Sequence, residues 1–496
     1  MLANQIKLYY NNEENKEKHF GGKIVDIKKV LKNIKNKGIR KTWNIYMNNH
    51  ESKKYEQYKN YYTEHLVFDE RVFLERPFLK MKSNIEKKAY LEVLFVKENE
   101  LKENDPASYK KYMEQMKAVY VKERIPQVYA ENAKKEVENK VIFMENGNSP
   151  SPSSAYIAKT IKKQNLYKVC YEGLKIRQVS FVEYYENALR FIENLATAKA
   201  VFLSTANDLL SQFDVRKETK VIQLWHGVGV FKKVGYSTVD NKHFGKSAEE
   251  REEYYQYRNY SYVTIPAPEQ SWIFEESMRI DKESGIIVPV GVSRTDVFFD
   301  ESYIESNFKK LYKKFPQMQG KKILFYGPTF RGAVANAQAP DRLDIDVLGE
   351  ALSDEYVLII KHHGLSKNVP EIPEKWKNTF AFDLGKDKVL SIEGLLAVSD
   401  VLITDYSSIA FEFAIMEKPI VFFAYDLEDY IDKRGMYYDY DEITPGPVCK
   451  TNEEMVDYLL HLDERFDKEE MAAFKQKHVG CCDGHSTERT IALIES

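Results

Sequence analysis

Short apolar runs alternate with helical stretches through most of this chain. Between residues 140 and 291 the runs are K-V-I-F-M-E-N (140–146), L-Y-K-V-C-Y-E-G (166–173), K-A-V-F-L-S-T-A (199–206), K-V-I-Q-L-W-H-G (220–227), Y-S-Y-V-T-I-P-A (260–267) and I-I-V-P-V-G (286–291). A charged segment at 300–320 interrupts the pattern. It then resumes with K-I-L-F-Y-G (322–327), Y-V-L-I-I-K (356–361), T-F-A-F-D-L (379–384), D-V-L-I-T-D (400–405) and P-I-V-F-F-A (419–424). Near-continuous apolar runs mark strands buried on both faces, as in a parallel sheet covered by helices, and these intervals fit βαβ units. The segment 181–196 supplies one crossover, with Tyr184, Tyr185, Leu189, Ile192 and Leu195 on one side of a helix. The expected class is α/β, with two Rossmann-like doubly wound domains at 140–305 and 306–475 facing a cleft.

The remaining segments read differently. Residues 1–107 are rich in Lys, Asn and Tyr, and the runs at 42–47 and 90–95 have a β-like composition. They predict a small, largely β accessory domain. From 108 to 139 the spacing of Tyr109, Tyr112, Met113, Met116 and Tyr120 predicts a helical connector, which Pro126 divides into two helices. Residues 476–496 form a C-terminal tail.

Ligands of doubly wound sheets bind beyond the carboxyl ends of the strands, and four strand ends carry chemistry. The stretch 400–414 reads strand, tight turn, helix: Val401 to Thr404 lead into Asp405, Ser407 and Ser408, then Ile409, Phe413 and Met416 recur at helical spacing. A helix N-terminus offers unpaired N–H groups and the positive end of the dipole, so the serines make a seat for phosphate. The same residues also suit a plain helix cap. Glu412 lies one turn further on. Elsewhere, Gly327-Pro328-Thr329-Phe330-Arg331-Gly332 is a sharp turn in which Thr329 offers a hydroxyl and Arg331 a fork of donors for phosphate oxygens. His226 and Gly227 close another run. An imidazole at a strand tip suits a general base or a phosphate partner, and equally a structural role. Lys361-His362-His363-Gly364 closes a fourth; adjacent residues of a strand point to opposite faces, so one histidine at most faces the cleft. That geometry also argues against a metal site at the pair.

Composition narrows the class. In 496 residues, 30% are charged and 43% hydrophobic, with a net charge of -3. No basic field argues for nucleic acid. An excess of about eight positive charges over residues 1–60 suits either an anionic membrane surface or an ordinary solvated face. Four cysteines without C-x-x-C spacing fit a reduced, cytoplasmic chain. No apolar run reaches membrane-spanning length and no signal-peptide h-region opens the chain. Any membrane role expected from these features is peripheral.

Together these motifs resemble the CDP-glycerol glycerophosphotransferases of teichoic acid and capsule biosynthesis. The matching pieces are L-W-H-G (224–227), G-V-S-R-T-D (291–296), G-P-T-F-R-G (327–332), K-H-H-G (361–364), T-D-Y-S-S-I-A-F-E-F (404–413), R-G-M-Y-Y-D-Y (434–440), P-G-P (445–447) and D-G-H-S-T-E-R (483–489). The resemblance covers about 140–496 and implies a GT-B fold. It implies that His226 is the catalytic base for the acceptor hydroxyl. Arg331, His363, Ser407 and Ser408 would hold the pyrophosphate of a CDP-polyol donor, with Asp405 orienting that loop. It further implies transfer of glycerol or ribitol phosphate to a polyprenyl-diphosphate-linked acceptor polymer, release of CMP, no cofactor or metal, and a place on the inner face of the cell membrane. The chain departs from the family pattern at His363-Gly364, where His-Pro is usual, and residues 1–139 match no motif. Two alternatives are a GT-B glycosyltransferase using a nucleotide sugar and a non-catalytic polymer-binding protein that keeps the fold.

Overall fold

The computed structural model describes residues 39–147, 149–175, 178–239, 247–332 and 336–496, and the strand pair β1 (His19–Phe20) and β2 (Lys23–Ile24); for 39–50 it describes the backbone alone. Most of the basic run expected at 1–60 therefore lies outside the described residues. The chain forms two compact units, Met1–Val119 with Arg177–Tyr185, and Tyr120–Ile176 with Glu186–Ser496.

Helices dominate the described part of the first unit, against the β expectation. The β-like runs at 42–47 and 90–95 lie inside the helices Ile39–His65 and Asn84–Asn104. The second of these begins at an N-cap, where the Ser83 side chain accepts the N–H of Glu86, and its core face is Ala89, Tyr90, Leu91, Val93, Leu94 and Glu98. Tyr62 meets Tyr90 edge-on at 5.1 Å, and Phe73 meets Tyr112 at 5.5 Å. As expected, Pro126 falls in the first turn of the second of two α-helices, although no loop separates them. The helix Pro106–Lys117 passes through a π-helical segment, Ala118–Arg124, into Ile125–Asn132. Proline lacks the N–H that would continue the ladder, and the wider turn before it absorbs the mismatch.

In the second unit all eleven apolar runs named above form strands, in two six-stranded parallel sheets. The first sheet comprises β3 (Glu138–Glu145), β4 (Lys168–Gly173), β5 (Ala198–Leu203), β6 (Lys220–Gln223), β7 (Tyr262–Thr264) and β8 (Ile287–Val288), in spatial order β4-β3-β5-β6-β7-β8. The second comprises β9 (Lys322–Tyr326), β10 (Tyr356–Ile360), β11 (Ala381–Asp383), β12 (Val401–Thr404), β13 (Ile420–Phe423) and β14 (Val448–Cys449), in order β11-β10-β9-β12-β13-β14. The charged segment between them is the amphipathic helix Glu301–Lys314, N-capped by Asp300. The C-terminal helix Ser486–Ala492 packs on the helix Pro152–Gln164, and Ile491, Leu493 and Ile494 join the core of the first sheet. This is the GT-B architecture.

In the second sheet the strand order reverses between β9 and β12, the topological switch point where doubly wound sheets open a crevice at their carboxyl ends. That crevice falls between the G-P-T-F-R-G turn and the D-Y-S-S turn.

Candidate active site

Asp405, buried at the end of β12, ties the two turns together. Its Oδ1 accepts the N–H groups of Thr329 (2.8 Å) and Tyr406 (2.6 Å), and its Oδ2 accepts from Arg331 Nη1 (2.8 Å). Arg331 in turn donates through Nε and Nη2 to both oxygens of Asp426, at 2.6 and 3.0 Å, and through Nη1 to the Thr329 carbonyl at 2.7 Å. Its guanidinium lies 5.0 Å from the ring centre of Tyr406, 5.4 Å from Tyr430 and 5.6 Å from Tyr425. Tyr406 stacks on Tyr430 at 3.8 Å, and its hydroxyl donates to Asp426 (2.8 Å). Arg331 is thus held between two carboxylates at the centre of an aromatic box. Asp426 had no place in the sequence reading; only its position after β13, the strand beside β12, brings it to the site.

Ser407 and Ser408 follow directly. The helix behind them, Ile409–Ala414, spans only six residues, and Ser408 makes no side-chain cap. Ala410 to Ala414 are all buried, so this short helix is core on every side. Glu412 is fully buried and ion-paired with Arg294, away from open solvent. Burial pushes its pKa up, and Arg294 pulls it back. Glu412 was expected at the substrate; its place in the fold is that of a buried partner to Arg294. The Thr329 hydroxyl oxygen is buried and has no hydrogen-bond partner among the described residues.

The first sheet supplies the opposite wall. β6 ends at Gln223, and the chain leaves it through Trp225, whose φ of 57° is unusual for a bulky residue. The Gln223 side chain accepts the Trp225 N–H at 2.9 Å, and the Trp225 ring lies 4.4 Å from that of His226. This turn leaves His226 exposed, in a cleft otherwise crowded with protein atoms, with neither ring nitrogen bonded to another described residue. That crowding, and then the charge of Arg294, lower its pKa, so the ring is neutral near pH 7 and able to take a proton.

After His226 the loop reaches the second sheet. A β-carbon on Gly227 would stand 3.5 Å from the Ser408 hydroxyl, and one on Gly229 would strike the Phe411 ring at 2.2 Å. Glycine is needed at 229 because the backbone lies directly on that ring. Phe231 packs on Phe411 (4.8 Å), and its carbonyl accepts the Tyr437 N–H (2.9 Å). His226 and the serine turn therefore face one cleft.

At the end of β10, His362 is buried edge-on against Tyr326, whereas His363 is exposed beside Phe330 at 5.1 Å. His363 Nδ1 accepts the Leu365 N–H at 3.2 Å, which places the proton of the neutral ring on Nε2. The protein atoms crowded around the ring, and then the nearby Lys232 charge, lower its pKa. The structure thus brings His226, Gly227, Thr329, Arg331, Asp405, Ser407 and Ser408 to the facing strand ends and leaves His363 at the neighbouring one. Lys232, on the loop that carries His226, was missed; its one sequence signal is a lysine six residues after the strand-tip histidine.

Two facing doubly wound domains, with a neutral histidine on one wall and a hydroxyl-lined turn at the switch point of the other, define a GT-B protein with a cleft between its two sheets. The chain belongs to the family described as CDP-Glycerol:Poly(glycerophosphate) glycerophosphotransferase, whose profile matches residues 128–496. It is 35% identical over 303 residues to the teichoic acid poly(ribitol-phosphate) polymerase of Bacillus spizizenii, covering 61% of this chain and 47% of that protein. It is 32% identical over 289 residues to the teichoic acid glycerol-phosphate primase of Bacillus subtilis, covering 58% of this chain and 71% of the relative. The chain thus spans about half the length of the first of these relatives. A solved structure of the wall teichoic acid polymerase TagF shares the fold, with a TM-score of 0.62 at 22% identity over 78% of this chain and 97% of that one.

Proposed function

We propose that this protein moves a polyol phosphate, glycerol phosphate or ribitol phosphate, from a CDP-polyol to a hydroxyl of a lipid-linked teichoic-acid-type acceptor. The observation that carries this reading is His226: exposed, unbonded, held neutral, and facing the serine turn at the switch point. The acceptor oxygen attacks the β-phosphorus of the donor and gives its proton to His226. The bond from that phosphorus to the bridging oxygen breaks, and CMP leaves with the electron pair. Ser407, Ser408 and the Nε2–H of His363 offer hydrogen bonds to the phosphate oxygens, while Asp405 and Arg331 hold the turn that carries them. The demands on the protein are in-line positioning and stabilisation of charge on the phosphoryl group. The family match favours this over transfer from a nucleotide sugar.

No helix among the described residues is long and apolar enough to cross a membrane. The lipid-linked acceptor and the basic run in residues 1–60 support action at the inner face of the membrane by peripheral attachment. Relatives named for both ribitol and glycerol phosphate leave the polyol to experiment. Purified protein supplied with a lipid-linked acceptor, and with CDP-glycerol or CDP-ribitol in separate reactions, is expected to extend the acceptor from one donor. Extension from neither, with a nucleotide sugar consumed instead, would refute the proposal.

A further inference from the structure

A diphosphate brought to the switch point needs positive charge, and the cations around it are not equally available. Arg331 is held by Asp405 and Asp426, so two carboxylates already face one guanidinium. Arg294 is held by Glu412. Lys361 donates to the Leu384 carbonyl at 2.7 Å. Lys232 differs. Its ammonium forms no hydrogen bond or ion pair with another described residue, and it lies 5.6 Å from the centre of the Tyr430 ring.

The position of Lys232 is fixed by backbone. It pairs with Met436 in an antiparallel bridge, the Lys233 N–H donates to the Gly435 carbonyl (3.2 Å), and Phe231 is clamped beside it by Phe411 and Tyr437. The loop that begins at His226 on the first sheet therefore delivers Lys232 to the second sheet. There it lies within electrostatic reach of Asp405, Arg331 and His363. A crowded ammonium without a counter-ion is costly to keep charged. Its pKa falls to about 8, through burial first and the neighbouring Arg434 and Arg331 charges after, despite the opposing pull of Asp405. An anion bound in the cleft removes that cost.

We propose that Lys232, rather than Arg331, is the cation that meets the diphosphate of the nucleotide donor, and that Arg331 is a brace holding the G-P-T-F-R-G and D-Y-S-S turns together. This deepens the transferase reading and rests on it for the identity of the donor. Lys232 and His226 lie on one loop, so a single segment carries both the group that binds the phosphates and the group that accepts the proton.

Equilibrium binding of CDP, UDP and cytidine to the full chain tests the assignment, using wild type, Lys232→Met, Lys232→Arg and Arg331→Ala. Loss of one charge-assisted contact is expected to weaken CDP binding by about 10- to 100-fold in Lys232→Met. Cytidine, which has no phosphate, should bind that variant as it binds wild type. Lys232→Arg should recover most of the loss. Arg331→Ala should instead lower the melting temperature and weaken CDP and cytidine together, because it leaves Asp405 and Asp426 facing each other. CDP binding by Lys232→Met equal to wild type would overturn the proposal and leave the transferase reading standing. Equal losses for CDP and cytidine in Lys232→Met, with a lower melting temperature, would also overturn it by making Lys232 a structural residue. A wild type that prefers UDP, with that affinity lost in Lys232→Met, would uphold Lys232 and refute the CDP donor.

Discussion

Arg331 shows what a single residue hides when it is read in sequence. A guanidinium at a strand tip suggests a phosphate fork, and its distance along the chain from Asp405 and Asp426 conceals that both carboxylates reach it. Glu412 is similar: helical spacing places it one turn beyond the serines, but only the tertiary fold reveals Arg294 beside it in the core. His226 was legible as a strand-tip group, yet what tunes it was not. Crowding and Arg294 lower its pKa, which for a base means that the active, neutral form persists to lower pH. We expect kcat/KM to rise with pH through a group titrating below the ordinary histidine value of 6.5, and to stay level from there to pH 7. A pH-rate profile whose acid limb lies above 6.5 would mean that another group, or a charged imidazole, controls the rate.

At the scale of elements, strands were easier to find than the helices of the first unit. A parallel strand buried on both faces is almost wholly apolar, and the burial of β9, β10, β12 and β13 matches that signal. The run Tyr90 to Phe95 carries the same residue types, but the helix around it buries positions 89, 90, 91, 93, 94 and 98, a stripe at helical spacing, behind the Ser83 to Glu86 start signal. Here the period of burial, rather than the β-like composition, marks the element. That helix also holds a titrating group. Glu98 is buried, accepts the Phe181 N–H at 2.8 Å, and has its pKa pushed up by burial to about 8. The folded protein thus keeps this proton where the unfolded chain has lost it. Stability from Glu98 is full below the ordinary carboxylate value of 4.5, declines as pH rises, and is gone above about 8. Glu98→Gln should flatten this decline, so denaturant unfolding at pH 5 and pH 8 should show the variant gaining on wild type at the higher pH. Parallel stability curves would contradict it.

On the scale of the whole molecule, one loop carries the strand-tip histidine of the first sheet onto the second. Segment 224–234 leaves β6, exposes His226, passes Ser408 at Gly227, lies against Phe411 at Gly229 and is pinned to Gly435 and Tyr437. The pattern of apolar runs predicted both sheets and the strand ends that face each other. It did not predict this junction, because close backbone packing and a left-handed Trp225 leave only glycines as a trace. We propose that this junction sets a base on one sheet against a CDP-polyol on the other. The most direct test is nucleotide release with a lipid-linked acceptor, comparing wild type with His226→Ala. CMP should appear from a CDP-polyol with wild type, and turnover should fall by about 10²- to 10⁴-fold in the variant, as for loss of a general base, with donor affinity kept. Release of UDP from a sugar nucleotide, or full CMP release by His226→Ala, would contradict it.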